Sequence, residues 1–322
     1  MRILLTTTSF QDTPGGHHEL LERSGFEVVR ARGPLKEGEM LELMKVGFDG
    51  LLNGDDAITA GVIEAGLPRL KVIAKYGIGL DSIDVAYATE KKIPVLFTPG
   101  VNHTTVAEHT FGLMIAMAKH FWVHLKSVKG GGWKRVTGSE LAGKRIAVLG
   151  VGRIGKEVVK RAVAFDMEVV GYDCYWDEGF ASQYGLRRAG TIEEAVAGGV
   201  GADFVSLHMN LSAENRGMVN AGFIEKLKQG CVIVNTARGG LVNERDVAVA
   251  CKSGRLGGYA ADVLEVEPQK VPHVFEGVDN ILVTPHVGSR TFESVERQAM
   301  RAVMNIVEFL KGGTDFIQAN KF

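Results

Sequence analysis

Residues 150–155 read Gly-Val-Gly-Arg-Ile-Gly, and the chain on either side restricts what such a segment can be. Three glycines at that spacing mean little among 41 glycines, so the context has to carry the reading. Before them runs Arg145-Ile146-Ala147-Val148-Leu149, a buried-strand pattern; after them Val158, Val159, Ala162, Val163 and Phe165 recur on one helical face, with Lys156, Glu157, Lys160 and Arg161 on the other. Strand, glycine turn and helix in that order give each glycine a task. Gly150 makes the tight turn, Gly152 lets a pyrophosphate approach the backbone, and Gly155 lets helix and strand pack closely. The helix start at Arg153 and Ile154 offers unpaired N–H groups and the positive end of a dipole to that anion. The next strand, Glu168 to Tyr172, ends in Asp173, 23 residues after Gly150. A carboxylate there accepts adenosine ribose hydroxyls and repels a 2′-phosphate, and Cys174-Tyr175-Trp176 supplies no arginine for such a phosphate. The segment therefore predicts NAD rather than NADP.

The rest of the chain alternates in the same manner. Short apolar runs at Ile3–Leu5, Phe26–Val29, Leu51–Leu52, Val72–Ala74 and Ile93–Phe97 are separated by helical stretches, and a second series begins at Arg145. It continues through Glu168–Val170, Phe204–Leu207, Val232–Val234, Tyr259–Val263 and Ile281–Val283, before a long amphipathic helix from about Ser294 to Leu310. Alternation of this kind predicts an α/β chain with two doubly wound parallel sheets. Between the series, Thr105–Glu108 fits a capping box leading into an almost wholly apolar helix, either core or subunit interface. Lys129–Arg135, rich in glycine and lysine, reads as a solvated connector.

In an open parallel sheet, ligands lie beyond the carboxyl ends of the strands. Polar residues stand at those positions: His208, Arg238 (after Asn235-Thr236-Ala237), Asp262 and His286, with Glu267 just beyond Asp262. Arg, Glu and His together suffice for hydride exchange with a 2-hydroxy acid. The guanidinium grips a carboxylate in a fork, the imidazole exchanges the hydroxyl proton near neutral pH, and a carboxylate behind it orients the ring.

These segments resemble the D-isomer-specific 2-hydroxyacid dehydrogenase family, and the likeness runs through Lys75–Asp84, Pro99–Asn102 with Val106–Glu108, the fingerprint, Asn235–Gly240, Asp262–Pro268 and Thr284–Gly288. What the resemblance implies is a discontinuous fold: a flavodoxin-like substrate domain from residues 1–100 and 289–322 around an inserted Rossmann NAD domain, 101–288. It implies that Arg238, Glu267 and His286 are catalytic, with His286 as acid/base, Glu267 its partner, and Arg238 on the substrate carboxylate. It further implies substrate contacts from Ile78, Gly79 and Asn102, and cofactor contacts from His208, Thr236, Ala237, Asp262 and Gly288, Asp262 and the carbonyl near Ala237 holding the carboxamide. The apolar helix after Thr105 would lie in a homodimer interface.

Two positions depart from the family. Asn210 replaces the usual proline after His208, and Asn53-Gly54-Asp55-Asp56 replaces the Arg-Ser that the phosphoglycerate dehydrogenase branch presents to a substrate phosphate. With Phe322 as the last residue, no regulatory domain is expected. The alternatives beside a phosphoglycerate dehydrogenase-like enzyme are a hydroxypyruvate or glyoxylate reductase and an NAD(H)-sensing corepressor. Formate dehydrogenases usually carry Gln at the Glu267 position. His120 and His124 are a helical turn apart but lack a third ligand, so no metal is expected.

A balance of 37 basic and 38 acidic residues argues against a nucleic-acid partner. No apolar run reaches the ~18 residues of a membrane span, and the start turns polar at Thr6. Cys174, Cys231 and Cys251 share no paired spacing and are expected to be reduced, as in a cytoplasmic protein.

Overall fold

The computed structural model describes Met1–Phe322, which divide into two compact units: residues 1–102 with 290–322, and residues 103–289. The first unit holds strands β1 (Arg2–Leu5), β2 (Glu27–Arg30), β3 (Gly50–Asn53), β4 (Val72–Lys75) and β5 (Val95–Leu96), all parallel, in the order β2-β1-β3-β4-β5. That is the flavodoxin-like order. Strands β1, β3 and β4 are buried on both faces, hence their unbroken apolar runs. β5 is shorter than Ile93–Phe97 suggests, because Pro94 has no N–H for the ladder and the chain turns to the C-terminal segment. There Phe97 N–H bonds Ile317 O, Ala319 N–H bonds Val95 O, and the Asn320 side chain accepts Val95 N–H at 2.8 Å.

The helix Phe292–Lys311 begins at Thr291, whose hydroxyl accepts the Ser294 N–H. It buries Ala299, Ala302, Val303 and Ile306 against Ile3, Leu5, Leu52 and Val72.

The second unit holds β6 (Arg145–Leu149), β7 (Glu168–Tyr172), β8 (Arg187–Arg188), β9 (Phe204–Leu207), β10 (Cys231–Asn235), β11 (Leu256–Ala261) and β12 (Ile281–Val283). They form one parallel sheet, β12-β11-β10-β9-β6-β7-β8, whose strand order reverses between β6 and β9. This is the Rossmann arrangement with an added edge strand. β8, two exposed arginines, has no apolar pattern by which sequence could find it.

Two local expectations, the capping box and the buried face of the fingerprint helix, are corrected. The apolar helix runs His103–Ala118, so Thr105 lies inside its first turns rather than capping it, and Glu108 reaches out to Arg161 at 3.1 Å instead of back. Its apolar sides fill this unit's own core with Val148, Val158 and Val159. The exposed apolar residues fall on the next helix, Phe121–Lys129, which buries none of its side chains and leaves Phe121, Leu125 and Val128 about half exposed. On the fingerprint helix, Val163 and Phe165 are exposed rather than core, and Phe165 leans on Phe111 with ring centroids 5.3 Å apart.

Candidate active site

The fingerprint turn folds as its glycines require. Gly150 sits at φ +96 with its Cα against the His208 backbone, and a Cβ on Gly155 would stand 2.0 Å from the Gly150 oxygen. Only glycine lets the helix Arg153–Ala164 close onto β6 in this way. Asp173 comes to the same turn: its Oδ2 accepts Val151 N–H at 2.6 Å and its Oδ1 accepts Tyr175 N–H at 2.7 Å. A carboxylate offers about four lone-pair sites, so two remain for ribose hydroxyls.

The backbone is open where a pyrophosphate would approach it. A Cβ on Gly152 would meet nothing within 4 Å, and no side chain caps the helix that starts at Arg153, so the N–H groups of Arg153, Ile154 and Gly155 have no side-chain competitor. Uncapped donors, an open glycine and a ribose-directed acid fit NAD.

His208, after β9, points Nε2 at Ser206 Oγ, 2.7 Å away, while its buried Nδ1 has no partner. Burial pushes the imidazole down to about 3. Since the unfolded chain takes up this proton near pH 6.5, stability holds above that pH and drains between about 6.5 and 3. His208→Asn is expected to flatten the fall of Tm between pH 7 and 4 in the ligand-free protein; an equal fall in both proteins would contradict a neutral His208. Beyond it Asn210, at the usual proline position, lends its carbonyl to the Asn215 side chain at 2.7 Å.

At the end of β10, fully buried Asn235 shapes the exit. Its side chain donates to Arg238 O at 3.0 Å and accepts Ala237 N–H at 3.1 Å, while Thr236 Oγ1 meets Thr110 Oγ1 at 2.8 Å. Arg238 Nη1 donates to Ala237 O at 2.7 Å, which leaves that carbonyl one lone pair for a carboxamide. A Cβ on Gly239 would fall 2.0 Å from the Leu264 carbonyl carbon, so the arginine turn and the Glu267 loop touch backbone to backbone.

Glu267 and His286 meet directly. Glu267 Oε1 accepts Leu264 N–H at 2.8 Å and Oε2 lies 2.7 Å from His286 Nδ1, both side chains partly open to solvent. His286 sits in left-handed backbone at φ +52, uncommon for a residue with a Cβ. What holds it there is Asp262. Its backbone carbonyl accepts His286 N–H at 2.9 Å, and its buried carboxylate accepts Val287 N–H, Gly288 N–H and the Thr284 hydroxyl at 2.9, 2.7 and 2.6 Å. Burial alone would raise the Asp262 carboxyl, but hydrogen bonds from His109, Thr284 and the two N–H groups outweigh it and hold it low. The residue that the family likeness gives to the carboxamide is thus first a clamp on the histidine turn. His109, 2.9 Å from Thr284 Oγ1, supports this clamp from the helix His103–Ala118.

Ile78, Gly79 and Asn102 belong to the first unit, and the Asn102 Oδ1 is buried without a partner there. His124 bonds the Val136 backbone at 3.2 Å, and no group of three metal-binding side chains forms.

Residues 111–288 match the profile of the D-isomer specific 2-hydroxyacid dehydrogenase NAD binding domain. A D-3-phosphoglycerate dehydrogenase of Methanocaldococcus jannaschii is 38% identical over 314 residues, covering 97% of this chain, which spans 58% of that protein's length. A Thermotoga maritima hydroxypyruvate reductase is 40% identical over 295 residues, covering 90% of this chain and 93% of the reductase. A solved Thermus thermophilus structure superposes with a TM-score of 0.89 at 33% identity, over 99% of this chain and all of that one. The chain therefore belongs to the D-isomer specific 2-hydroxyacid dehydrogenase family of oxidoreductases, with residues 111–288 as its NAD binding domain.

Proposed function

We propose that the chain reversibly reduces a small, unphosphorylated 2-keto acid to its D-2-hydroxy acid, with Arg238, Glu267 and His286 as the catalytic set. The 2.7 Å contact between Glu267 and His286 carries this reading. With Nδ1 engaged by the carboxylate, the exchangeable proton of His286 is the one on Nε2. In reduction the imidazolium gives it to the keto oxygen; in oxidation the neutral ring takes the hydroxyl proton. Arg238 holds the substrate carboxylate in a forked pair and draws charge from the keto group. NAD, when bound, delivers or accepts the hydride at the substrate's C2. Ile78, Gly79 and Asn102 are the proposed substrate contacts of the first unit, and His208, Thr236, Ala237 and Gly288 join the fingerprint in cofactor binding.

The choice of an unphosphorylated substrate rests on the segment after β3. Sequence suggests that Asn53, Asp55 and Asp56 all face the substrate, but Asn53 and Asp56 are fully buried. Asp56 has a structural task, accepting the Thr6 hydroxyl and the N–H groups of Leu35 and Gly54. Asp55 alone is open, its side chain 74% exposed. Lys75, the basic residue at the end of the neighbouring strand β4, is buried and committed to Asp55 at 2.7 Å and to Gly54 O at 2.5 Å. A phosphate bearing nearly two charges would meet an acid in place of an arginine. Losing one charge-assisted contact costs about 1.5–3 kcal/mol, roughly ten- to a hundredfold in affinity. Hydroxypyruvate is therefore expected to match or exceed phosphohydroxypyruvate in kcat/KM with NADH. A preference above a hundredfold for the phosphorylated acid would refute the reading.

NADH is expected to outperform NADPH, and Asp173→Ala to narrow that gap, because the change removes a hydroxyl acceptor and a repulsive charge together. A ratio of kcat/KM near one in the unaltered enzyme would contradict the ribose argument. We also infer a cytoplasmic homodimer. Three free cysteines support the compartment, and the exposed Phe121, Leu125 and Val128, with Trp133 80% exposed just after them, support association. Sedimentation of the purified chain tests the dimer. No helix is long and apolar enough to cross a membrane.

A further inference from the structure

Glu267 stands in the segment 264–273, which has no regular secondary structure and leaves Val266 and Val271 exposed, so little apolar burial holds it in place. Beyond the backbone contact at Gly239, one carboxylate ties it down. Glu244 is the first residue of the helix Glu244–Lys252, where a negative charge is favoured by the helix dipole. Its side chain is only 12% exposed. Oε1 accepts Glu265 N–H at 2.9 Å, and Oε2 lies 3.2 Å from His273 Nε2. His273 Nδ1 accepts Phe275 N–H at 3.3 Å, which fixes the tautomer: Nε2 bears the hydrogen and donates to Glu244. The His273 ring in turn packs edge-on against Phe275, centroids 4.8 Å apart, and Phe275 against buried Tyr259. The two ties fall on either side of Glu267.

We propose that Glu244, through His273, is a positioning residue that keeps Glu267 against His286. The proposal rests on the role given above to Glu267. A carboxylate suits the task better than an amide. Gln at 244 could still accept Glu265 N–H, yet its amino group would face the His273 N–H donor to donor, or its single oxygen would have to serve both. The other charged groups around the pair line the adjoining concavity of about 480 Å³: Arg216, Arg245, Lys270 and Glu265. Histidine is the side chain that titrates near neutral pH, so His273→Asn serves to separate a change arising at His273 from one arising at His286.

The experiment measures pH–rate profiles of keto-acid reduction for Glu244→Gln, Glu244→Ala, His273→Asn, Glu267→Gln and the double change Glu244→Gln/Glu267→Gln. Hydrogen exchange of residues 264–275 is followed in parallel. Positioning predicts that the limb for reduction moves to lower pH in Glu244→Gln, toward its place in Glu267→Gln, with kcat down about ten- to a hundredfold and the KM for NADH unchanged. It also predicts no further shift in the double change and faster exchange of the loop. Glu244→Ala should act more strongly, and where it fails to fold, Glu244→Gln and His273→Asn decide. A shifted limb in Glu267→Gln with an unmoved one in Glu244→Gln overturns positioning and leaves the dyad standing. An unmoved limb in Glu267→Gln overturns both.

Discussion

Replacing His286 by Gln is expected to lower kcat by about 10²–10⁴-fold in both directions, the range attributable to a positioned acid/base. Gln can hold a hydrogen bond to Glu267 but cannot pass a proton to the keto oxygen or take one from the hydroxyl. NADH affinity should change little, because the fingerprint and Asp173 contacts lie elsewhere in the sheet. The two directions need opposite forms of the ring, so in the unaltered enzyme reduction should fail at high pH and oxidation at low pH. Glu267 accepts from Nδ1 and favours the protonated ring, so Glu267→Gln should move the limb for reduction to lower pH. Pre-steady-state and steady-state rates at several pH values give both readings. A His286→Gln enzyme within a few-fold of normal turnover would remove the histidine from the mechanism.

Arg238→Gln is expected to have a different signature. The arginine contributes two charge-assisted hydrogen bonds to a carboxylate, each about 1.5–3 kcal/mol, so kcat/KM for every 2-keto acid should fall roughly 10²–10⁴-fold with no displaced pH limb. Arg238→Lys should recover only part, since an ammonium keeps the charge and loses the planar fork. Added guanidinium salt should restore some activity to the Gln variant and none to the His286 variant. A Lys variant as active as the parent would mean that charge alone, not the fork, binds the carboxylate.

How much of this was legible in the sequence depends on whether the information was local. Most strands, and their alternation with helices, follow from apolar runs, whereas the order of strands in each sheet comes only with the family resemblance; the nucleotide turn is readable because its three glycines, its helix and Asp173 lie within 24 residues. The strand-end rule points to Glu267 and His286 one at a time. That they touch depends on a left-handed turn clamped by Asp262, and no pattern in residues 284–288 announces it. His109 and Glu244 look ordinary in their own segments, and their partners are 21 to 175 residues away. The capping box failed for the opposite reason. Thr105–Glu108 has the right residue types, but the helix had already started at His103.

The split construction of the first unit has a consequence for how the protein is made. The apolar face of β1, β3 and β4 is covered by Ala299, Ala302, Val303 and Ile306, and β5 gains its C-terminal neighbours only from residues 317–320. On a ribosome adding about 5–20 residues per second, that cover arrives roughly 10–40 s after β5, once residues 103–289 have been made. The later-made unit is continuous in sequence and can close first. The earlier-made strands must wait as a nascent sheet with one sticky face, so the N-terminal third of this chain is where a chaperone has most to do.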